Sequence, residues 1–515
     1  MKKKLKIKLQ QKAYFLALLP LVFILHGNNA FFGFFPASFV ILNLSIVLLT
    51  SLLLYACCYI FIRNKRKAVI LSFWLLLFIL SFGFLHDSTK KIMGDGFFSS
   101  YKFIFVISLF LLVVFFVLIK KRNSLFQRHF FFINTLIFSL LLYELVDSII
   151  QFSNYKNEKK LLDNRFNASK QARINTTIPD SIKPDIYFLV FDALPSSIAM
   201  KSEWGFDNSF LDSFLLKEKF YVHSKSKSNY NLTVLSVSST LNMDYTPAVN
   251  LYQDEAKMYF KATASLLDNS LTRILEQQNY EIKQYQPISF ANKDWHGKLF
   301  FGNILYMNYF YQTLPGRVYR DLGWNVSRLN MKILNNRNFK KYHSRNLTLQ
   351  NDLLQTKLLV KKSCSLTKEK KQFVYAHFQL PHDPFIFDSS GKLKPTEKTI
   401  LYSEEEQPAA FIEQVKFANK IIQELVVHIK KTNRQNTVII IEGDHGYRNI
   451  TGKKGYMIFD NFNSVYLPDN DYTQHYSTMS PVNSFRLVLN KFFTANLPLL
   501  KDSSIFIPYT LPGEK

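Results

Sequence analysis

The sequence predicts an amino-terminal bundle of five transmembrane helices, followed by an α/β domain with a mostly parallel central sheet covered by helices on both faces. Three observations carry this prediction. Apolar residues crowd into the first 155 of the 515 positions, and basic residues fill every second loop between the apolar stretches. Beyond them, strand patterns alternate with an amphipathic helix, as in α/β units.

Five nearly continuous apolar stretches make up the predicted bundle. They are Ala13–Leu25, Ala37–Ile62, Ala68–Leu85, Phe103–Ile119 and Phe130–Leu145. Four of them approach or exceed the roughly 18 apolar residues that mark a spanning helix. The first is shorter and contains Pro20. Its length alone leaves open a signal-peptide core or an interfacial segment.

The placement of charge favours five spans over four. Six lysines precede the first stretch, and clusters of Lys and Arg separate the second from the third and the fourth from the fifth. The loop at residues 26–36 has no Lys or Arg, and the loop at 86–102 mixes three Lys with two Asp. Short basic loops stay in the cytoplasm. We therefore expect a multi-pass protein of the bacterial inner membrane, with a cytoplasmic amino terminus and a periplasmic or extracellular domain after the fifth span.

The net charge of +26 does not indicate a nucleic-acid partner. The chain has 64 Lys and Arg against 38 Asp and Glu, but the sequence shows no concentrated basic stripe with interleaved aromatic residues. Attraction to an anionic membrane surface is the better functional interpretation, and most of the lysines are expected to be solvated. Three cysteines, Cys57, Cys58 and Cys364, provide no disulfide framework.

The remainder of the chain divides into a tether and a folded domain. Residues 152–183 are polar and charged, so the predicted parts are a transmembrane domain at 1–151, a polar tether at 152–183 and an exported catalytic domain at 184–515. Ile186–Phe191 and Gln372–Phe378 are predicted to be buried strands. Pro408–Lys431 has the apolar spacing of an amphipathic helix. A short turn then leads into the run Thr437–Gly446, TVIIIEGDHG, predicted to begin with another buried strand.

Polar side chains follow two of these strands. Asp192 comes directly after the first, and Asp444 and His445 follow the last. If the strands are neighbours in a parallel sheet, these side chains emerge at the same edge, where open α/β sheets bind ligands. Carboxylate oxygen and neutral imidazole nitrogen are natural ligands of a divalent metal.

A hydroxyl-rich segment lies between them. Ser228–Asp244 contains neither Lys nor Arg. Asn231 is expected to cap a helix beginning near Leu232, which would place Thr233 in the first turn, where the positive field of the helix terminus favours an alkoxide and a bound phosphate. Spacing alone does not separate Thr233 from Ser236 and Thr240.

Taken together, four motifs resemble a known family. They are the strand ending at Asp192, Asn-Tyr-Asn-Leu-Thr233, Pro381-His382-Asp-Pro-Phe385, and Asp444-His445-Gly446. In this order they resemble the alkaline phosphatase superfamily. The nearest match is its membrane-anchored sulfatase-like hydrolases and transferases, such as lipoteichoic acid synthases and phosphoethanolamine transferases. The resemblance covers essentially the whole chain and implies an alkaline-phosphatase-like α/β domain.

The resemblance also implies a metal site and a nucleophile. Asp192, Thr233, Asp444 and His445 would bind one divalent metal, zinc or manganese. Thr233 would be the nucleophile, because coordination lowers the pKa of an alcohol, and attack on phosphorus would give a covalent phospho-threonine. His382 would meet the transferred group or a second metal. Further candidates for these roles are His377, Asp383 and His475.

Two departures from the wider superfamily bear on the chemistry. Classical sulfatases mature a Cys or Ser in a Cys/Ser-x-Pro-x-Arg sequence to formylglycine, and neither Cys364 nor any serine here has that pattern. Formylglycine chemistry is therefore disfavoured. The first acidic ligand, usually Glu in the lipoteichoic acid and phosphoethanolamine enzymes, is Asp192 here, which leaves the number of metals open at one or two.

The leading function is transfer of a phosphate-linked group from a membrane lipid donor to an exported glycan or lipid acceptor. The alternative enzyme is a membrane-anchored sulfatase-type or phosphodiesterase-type hydrolase, with water as the acceptor. A non-enzymatic scaffold on a degenerate fold is disfavoured, because a pseudoenzyme would be free to lose any member of the set Asp192, Thr233, Asp444 and His445.

Overall fold

The computed structural model describes most of the chain. The described residues are 12–30, 32, 35, 37–94, 96–121, 126–165, 178–245, 262, 265–266, 268–285, 310–318, 337–364, 370–400, 402–403, 405–432, 436–448 and 456–507. The chain divides into two compact units. The first comprises Met1–Lys160, His296–Lys332 and Thr510–Lys515, and the second comprises Leu161–Trp295 and Ile333–Tyr509. The predicted boundaries at 151 and 183 stay predictions.

Among the described residues, five long helices make up most of the first unit, and the fifth ends just beyond its boundary. They are α1 (Phe15–Ala30), α2 (Ala37–Ile62), α3 (Lys65–Met93), α4 (Tyr101–Lys121) and α5 (Gln127–Arg165), with a 3₁₀ turn at Phe97–Ser99. By length and composition, four helices in the described part of the chain can cross a membrane: Ala37–Ile62, Lys65–Met93, Phe103–Lys121 and Gln127–Asn154. The apolar helix α1 has 16 residues, so the fifth span stays a prediction. Helix α5 continues through the first part of the predicted tether, whose residues 166–177 lie outside the described part of the chain.

Helix α1 is nevertheless packed inside this unit. Phe15 is fully buried, and its ring lies 5.0 Å from the ring of Phe73 and 5.5 Å from that of Phe130. Its backbone N–H donates to Asn134 Oδ1 at 2.9 Å. At the other end of α1, the side-chain amide of Asn29 donates to Glu144 at 3.0 Å. Asn134 thus satisfies a buried backbone N–H, and Asn29 and Glu144 satisfy each other, as an apolar environment requires.

A distant part of the sequence returns to the first unit. Residues 310–318, which include the short helix α6 (Leu314–Arg317), pack on the end of α3. The N–H of Gly83 donates to Gln312 O at 2.9 Å, and a Cβ at Gly83 would lie 2.7 Å from that oxygen. Arg317, 1% exposed, pairs with Asp87. No local pattern in residues 310–318 indicates this contact.

In the part of the chain that the structure describes, the second unit is built on a mixed six-stranded sheet. Its strands are β1 (Asp185–Phe191), β2 (Tyr221–Val222), β3 (Glu281–Tyr285), β4 (Gln372–Phe378), β5 (Thr437–Glu442) and β6 (Asn463–Tyr466), in the order β2-β6-β5-β1-β4-β3. Pairing is parallel from β5 through β1 and β4 to β3, and antiparallel between β5, β6 and β2. The parallel centre was predicted, but the antiparallel edge was not, because β2 and β6 are too short to produce a pattern.

Helices connect these strands. They are α7 (Ser197–Trp204), α8 (Ser209–Lys217), α9 (Thr233–Asn242), α10 (Ser270–Gln277), α11 (Arg337–Ser363), α12 (Thr396–Ile400), α13 (Gln407–Thr432) and α14 (Ser484–Phe493), with 3₁₀ turns at Tyr456–Ile458 and Pro481–Asn483. Helix α13 buries the predicted apolar face, including Phe411, Val415 and Ile422. Strands β1, β4 and β5 are buried along their whole length. Such burial explains their continuous apolar sequences.

The sheet order brings the predicted ligands together. Strand β1 pairs with β5 in parallel, with Leu189 opposite Ile441 and Val190 opposite Glu442. Asp192 and Asp444 therefore leave neighbouring strands at the same carboxyl edge.

Candidate metal and active site

Three side chains at this edge form a compact group. One ligand atom each from Asp192, Asp444 and His445 lies within 4.8 Å of the others. Nε2 of His445 is 3.5 Å from Asp192 Oδ1 and 3.5 Å from Asp444 Oδ2. Asp444 and His445 are fully buried, and Asp192 is 8% exposed.

The backbone arranges the two carboxylates. The N–H groups of Ala193 and His445 donate to Asp444 Oδ1 at 2.9 and 3.0 Å, which leaves Oδ2 directed at the group. Ala193 has a φ of 63°, a conformation that costs a non-glycine residue about 1 kcal/mol or more. Within the described part of the chain, Asp444 Oδ2 and Asp192 Oδ1 are buried without a hydrogen-bond partner. Such anionic oxygens fit a bound cation.

His445 is held in the form that a metal requires. Its Nδ1 lies 2.6 Å from the carbonyl oxygen of Gly446, so Nδ1–H donates there and the Nε2 lone pair faces the carboxylates. Burial, reinforced by Arg448, lowers the pKa of His445 to about 4, so the ring is neutral near pH 7. A Cβ on Gly446 would lie 1.8 Å from Met457 O, so this close turn admits only glycine.

Asp192 is ionised in this environment. Burial by itself would raise its pKa, but the imidazoles of His382, His377 and His445 hold the pKa of Asp192 below its ordinary value. Carboxylate oxygens and a neutral imidazole nitrogen form a donor set that suits zinc or manganese. The residues present therefore fit the divalent metal that the sequence predicts.

Thr233 lies beside this group. It is the first residue of α9, is half-buried, and its Oγ1 lies 3.4 Å from His445 Nε2. Ser236 and Thr240 are fully buried, and Thr240 Oγ1 donates to Ser236 O at 3.1 Å. The structure therefore separates Thr233 from the two hydroxyls that spacing left as alternatives.

The expected cap of this helix is wrong in detail. Leu232 occupies the cap position, and its side chain makes no capping hydrogen bond to the first turn. The side chain of Asn231 instead donates to Ile507 O at 2.8 Å and accepts from Ile507 N at 2.8 Å. Since Asn231 is tied to a distant segment, the orphan N–H groups of α9 are left for other partners.

Two of the candidate histidines flank the group. Nε2 of His377 lies 3.6 Å from Asp192 Oδ2, and its Nδ1 lies 2.8 Å from the hydroxyl of Tyr375. The ring centre of His382 is 6.4 Å from that of His445. Burial opposes protonation of His382, but Asp192 and Asp383 raise its pKa above the ordinary value. Asp383 is 56% exposed and lies 3.1 Å from His382 Nδ1.

His475 belongs to a different cluster. Its ring centre lies 5.4 Å from that of His223, and the rings of Tyr221 and Tyr472 also contact it. His223 follows strand β2, which is two strands away from β5 in the sheet.

Arg448 is a site residue that the sequence analysis missed. Its Nη2 donates to Thr233 Oγ1 at 3.3 Å and contacts His445 Nε2. One lone pair on Nε2 cannot serve both a guanidinium and a metal, so metal binding requires Arg448 to leave His445. The sequence does offer one indication of this role, because Arg448 lies only three residues after the predicted ligand His445.

Arg486 supports the opposite end of α9. Its Nε donates to Met243 O at 2.7 Å and its Nη1 to Pro498 O at 2.6 Å. Met243 is the C-cap residue of α9. Arg486 therefore helps to hold the helix that carries Thr233.

Comparison with known proteins identifies the family. A sulfatase family model matches residues 199–479, more than half of the chain, including Thr233, Asp444 and His445. The chain therefore belongs to the sulfatase family. Its resemblance to the membrane-anchored sulfatase-like proteins of the alkaline phosphatase superfamily is thereby confirmed. No curated protein matches the sequence.

Several solved structures are similar to the chain. The C-terminal periplasmic domain of EcEptC from Escherichia coli is 12% identical, covers 66% of this chain and 93% of its own, and has a TM-score of 0.39. Lipooligosaccharide phosphoethanolamine transferase A from Neisseria meningitidis, an integral membrane protein, is also 12% identical. The match covers 93% of this chain and 95% of the transferase, with a TM-score of 0.38. A protein in the alkaline phosphatase superfamily from Vibrio parahaemolyticus is 11% identical. The match covers 62% of this chain and 69% of that protein, with a TM-score of 0.34. Likenesses of this size do not identify a substrate.

Proposed function

We propose that this protein transfers a phosphate-linked group from a membrane lipid to an exported glycan or lipid, with Thr233 as the nucleophile. The observation that carries the proposal is the position of Thr233 Oγ1, 3.4 Å from His445 Nε2 and beside two buried carboxylates. A divalent metal held by Asp192, Asp444, His445 and Thr233 would lower the pKa of the threonine hydroxyl.

The neighbouring side chains suit an anionic phosphorus centre. The guanidinium of Arg448 and the amino terminus of α9 both place positive charge at Thr233, where phosphate oxygens would bind. His382, whose pKa is raised, is the candidate that protonates the departing oxygen. Attack of Oγ1 on phosphorus releases the rest of the lipid and leaves a phospho-threonine, which the acceptor then resolves.

The apolar helices favour a lipid donor. Four helices that can cross a membrane are more than an anchor needs, and they keep the chain at the bilayer. The missing Cys/Ser-x-Pro-x-Arg sequence argues against formylglycine-dependent cleavage of sulfate esters, although the chain belongs to the sulfatase family. A periplasmic or extracellular position of the site is part of this proposal and follows from the basic loops.

Replacement of the nucleophile tests the proposal at the residue level. In the full chain, Thr233→Ala should reduce turnover of a model phosphodiester by about 10³-fold or more, because the covalent step is lost. Thr233→Ser should keep part of the activity. The matched control is Ser236→Ala on the same helix, whose hydroxyl is fully buried and should be dispensable for chemistry. Full activity of Thr233→Ala would exclude the nucleophile proposed here.

Acceptor dependence distinguishes transferase from hydrolase. The full chain is reconstituted in phospholipid vesicles with and without an exported glycan, and consumption of the lipid is measured. A transferase should consume donor in proportion to the glycan supplied and yield a phosphorylated glycan. Equal consumption without glycan would establish water as the acceptor and a hydrolase in place of the transferase.

A further inference from the structure

A second pair of histidines lies outside the site described above. His223 follows strand β2 and is 1% exposed, and His475 lies in the turn around residues 472–476. Their ring centres are 5.4 Å apart, and the ring of Tyr221 lies 4.9 Å from His223 and 5.7 Å from His475. The pair joins two segments that are far apart in the sequence.

One nitrogen of each ring has no hydrogen-bond partner among the residues that the structure describes. Nδ1 of His223 lies 2.9 Å from the carbonyl oxygen of Tyr476, so it carries the proton and donates, and its Nε2 presents a lone pair. Among the described residues, nothing bonds this buried Nε2 or the buried Nδ1 of His475. A buried nitrogen without a hydrogen-bond partner destabilises the folded state, so two such nitrogens in neighbouring rings require an explanation. An Nδ1–H bonded to a backbone carbonyl is also the arrangement that orients a metal-binding histidine.

Both rings are neutral near pH 7. Burial lowers the pKa of His223 to about 4. Burial, and then His223, lowers the pKa of His475 to about 3. Mutual repulsion of imidazolium ions therefore does not oppose the pairing, and the lone pairs are available to a cation.

We propose that His223 and His475 form a second divalent-metal site, for zinc or a similar imidazole-binding ion, with water completing the coordination. Two imidazoles bound tetrahedrally at about 2.0–2.1 Å place their ring centres about 5 Å apart, close to the observed 5.4 Å. His475 also lines a cavity of about 240 Å³ with Asp471, Gln474 and Lys491.

The bound ion would have a structural effect. Strand β2 has two residues and pairs with β6. A metal that joins His223 to His475 would fix this edge to the turn that precedes Ser480. The site does not depend on the function proposed above, because none of its residues is among Asp192, Thr233, Asp444 and His445.

Metal content tests the proposal in the full-length protein purified in detergent. The protein is loaded with zinc and dialysed, and its zinc content is measured by elemental analysis. Asp444→Asn and His475→Gln should each bind one equivalent of zinc per chain fewer than the unmodified protein. The double variant should lose both. His428→Gln, a half-buried histidine on α13, is the matched control and should keep the full amount. Unchanged zinc in both His475→Gln and His223→Gln would overturn the site, and the two rings would then be only an aromatic contact.

Thermal stability separates metal loss from misfolding. Zinc should raise the Tm of Asp444→Asn, because the second site remains and a ligand of the folded state stabilises it. It should not raise the Tm of the Asp444→Asn/His475→Gln double variant, whose Tm without metal should match that of Asp444→Asn. An equal zinc-dependent rise in both variants would also overturn the proposal.

Discussion

At the scale of single residues, the candidate site depends on which nitrogen of His445 carries the proton. The carbonyl of Gly446 accepts from Nδ1, so Nε2 is left to face Asp192, Asp444 and Thr233. Gly446 is needed because a side chain would overlap Met457 O. Arg448 supplies positive charge beside the threonine, and its contact with Nε2 has to break when a cation binds.

Asp212 provides a pH-dependent prediction. Burial raises its pKa to about 6, although Ser197 Oγ donates to it at 3.0 Å. Because the folded pKa lies above the unfolded value of about 3.9, the folded state binds a proton that the unfolded chain has released. Stability therefore falls as the pH rises from about 4 to about 6. We expect Asp212→Asn to raise the Tm by about 2–4 °C near pH 7.5 and to leave it unchanged near pH 4, measured by thermal unfolding.

Asp207→Asn is the matched control for this prediction. Asp207 lies on the surface just before α8, the helix that contains Asp212, and pairs with Lys201 at 3.1 Å. Its pKa is lowered to about 2 by hydrogen bonds from Ser209 and by Lys201, so its removal should not stabilise the protein at neutral pH. A gain for Asp212→Asn that is equal at both pH values would contradict the assigned cause.

At the scale of elements, helix α9 is held at both ends. Asn231 ties the residues before it to Ile507, and Arg486 binds the carbonyl of Met243 after it. Thr240 Oγ1 also donates to Glu442 Oε1 at 3.2 Å, which joins α9 to strand β5. The helix with Thr233 and the strand that leads to Asp444 are therefore positioned relative to each other by buried hydrogen bonds.

Asn231→Ala should reduce both stability and turnover. Loss of the two bonds to Ile507 is expected to cost about 1–3 kcal/mol, since the backbone groups stay buried. Turnover should fall by about 10-fold or more, because Thr233 lies two residues away and positioning errors are costly to catalysis. Activity per folded molecule and chemical unfolding measure the two effects.

Asn490→Ala provides a matched control for Asn231→Ala. Asn490 bonds the backbone of Leu497 in the same two-way manner, at 2.8 and 2.6 Å, but it lies on α14. It should lower stability to a similar extent while leaving turnover per folded molecule unchanged. Equal turnover in the two variants would mean that the Asn231 bonds do not position Thr233.

At the scale of the whole molecule, the basic loops predict the orientation in the membrane. In a background without Cys57, Cys58 and Cys364, single cysteines replace Lys65 and the exposed Ser390. A membrane-impermeant thiol reagent applied to intact cells with a permeable outer envelope should label Ser390→Cys. It should reach Lys65→Cys only after the inner membrane is opened. The reverse pattern would contradict a cytoplasmic loop between α2 and α3.

Local pattern accounts for much of the fold. The long apolar stretches became helices α2 to α5, and the β-branched and aromatic runs became β1, β4 and β5. These elements can be predicted because the apolar pattern that indicates each of them lies within one continuous segment of the sequence. Strands β2 and β6 have two and four residues, so they lack a readable period, and the antiparallel edge was not predicted.

The candidate site was predictable where a metal-binding type of residue directly follows a predicted strand. Asp192, Asp444 and His445 follow buried strands, and the parallel pairing of β1 and β5 brings them together. Arg448 was missed because an arginine in a loop has no periodic signal. His475 was expected near the metal site, whereas its ring contacts those of His223, Tyr221 and Tyr472.

The sequence by itself determined that the chain has long apolar helices, an α/β domain and metal-binding residue types at the ends of two strands, because each depends on neighbouring positions. Only the tertiary structure decided which hydroxyl lies beside His445, that Asn231 bonds Ile507, and that residues 310–318 pack on α3. These contacts join residues that are remote in the sequence. Their free energy comes from burial and hydrogen bonds that exist only after the chain has folded.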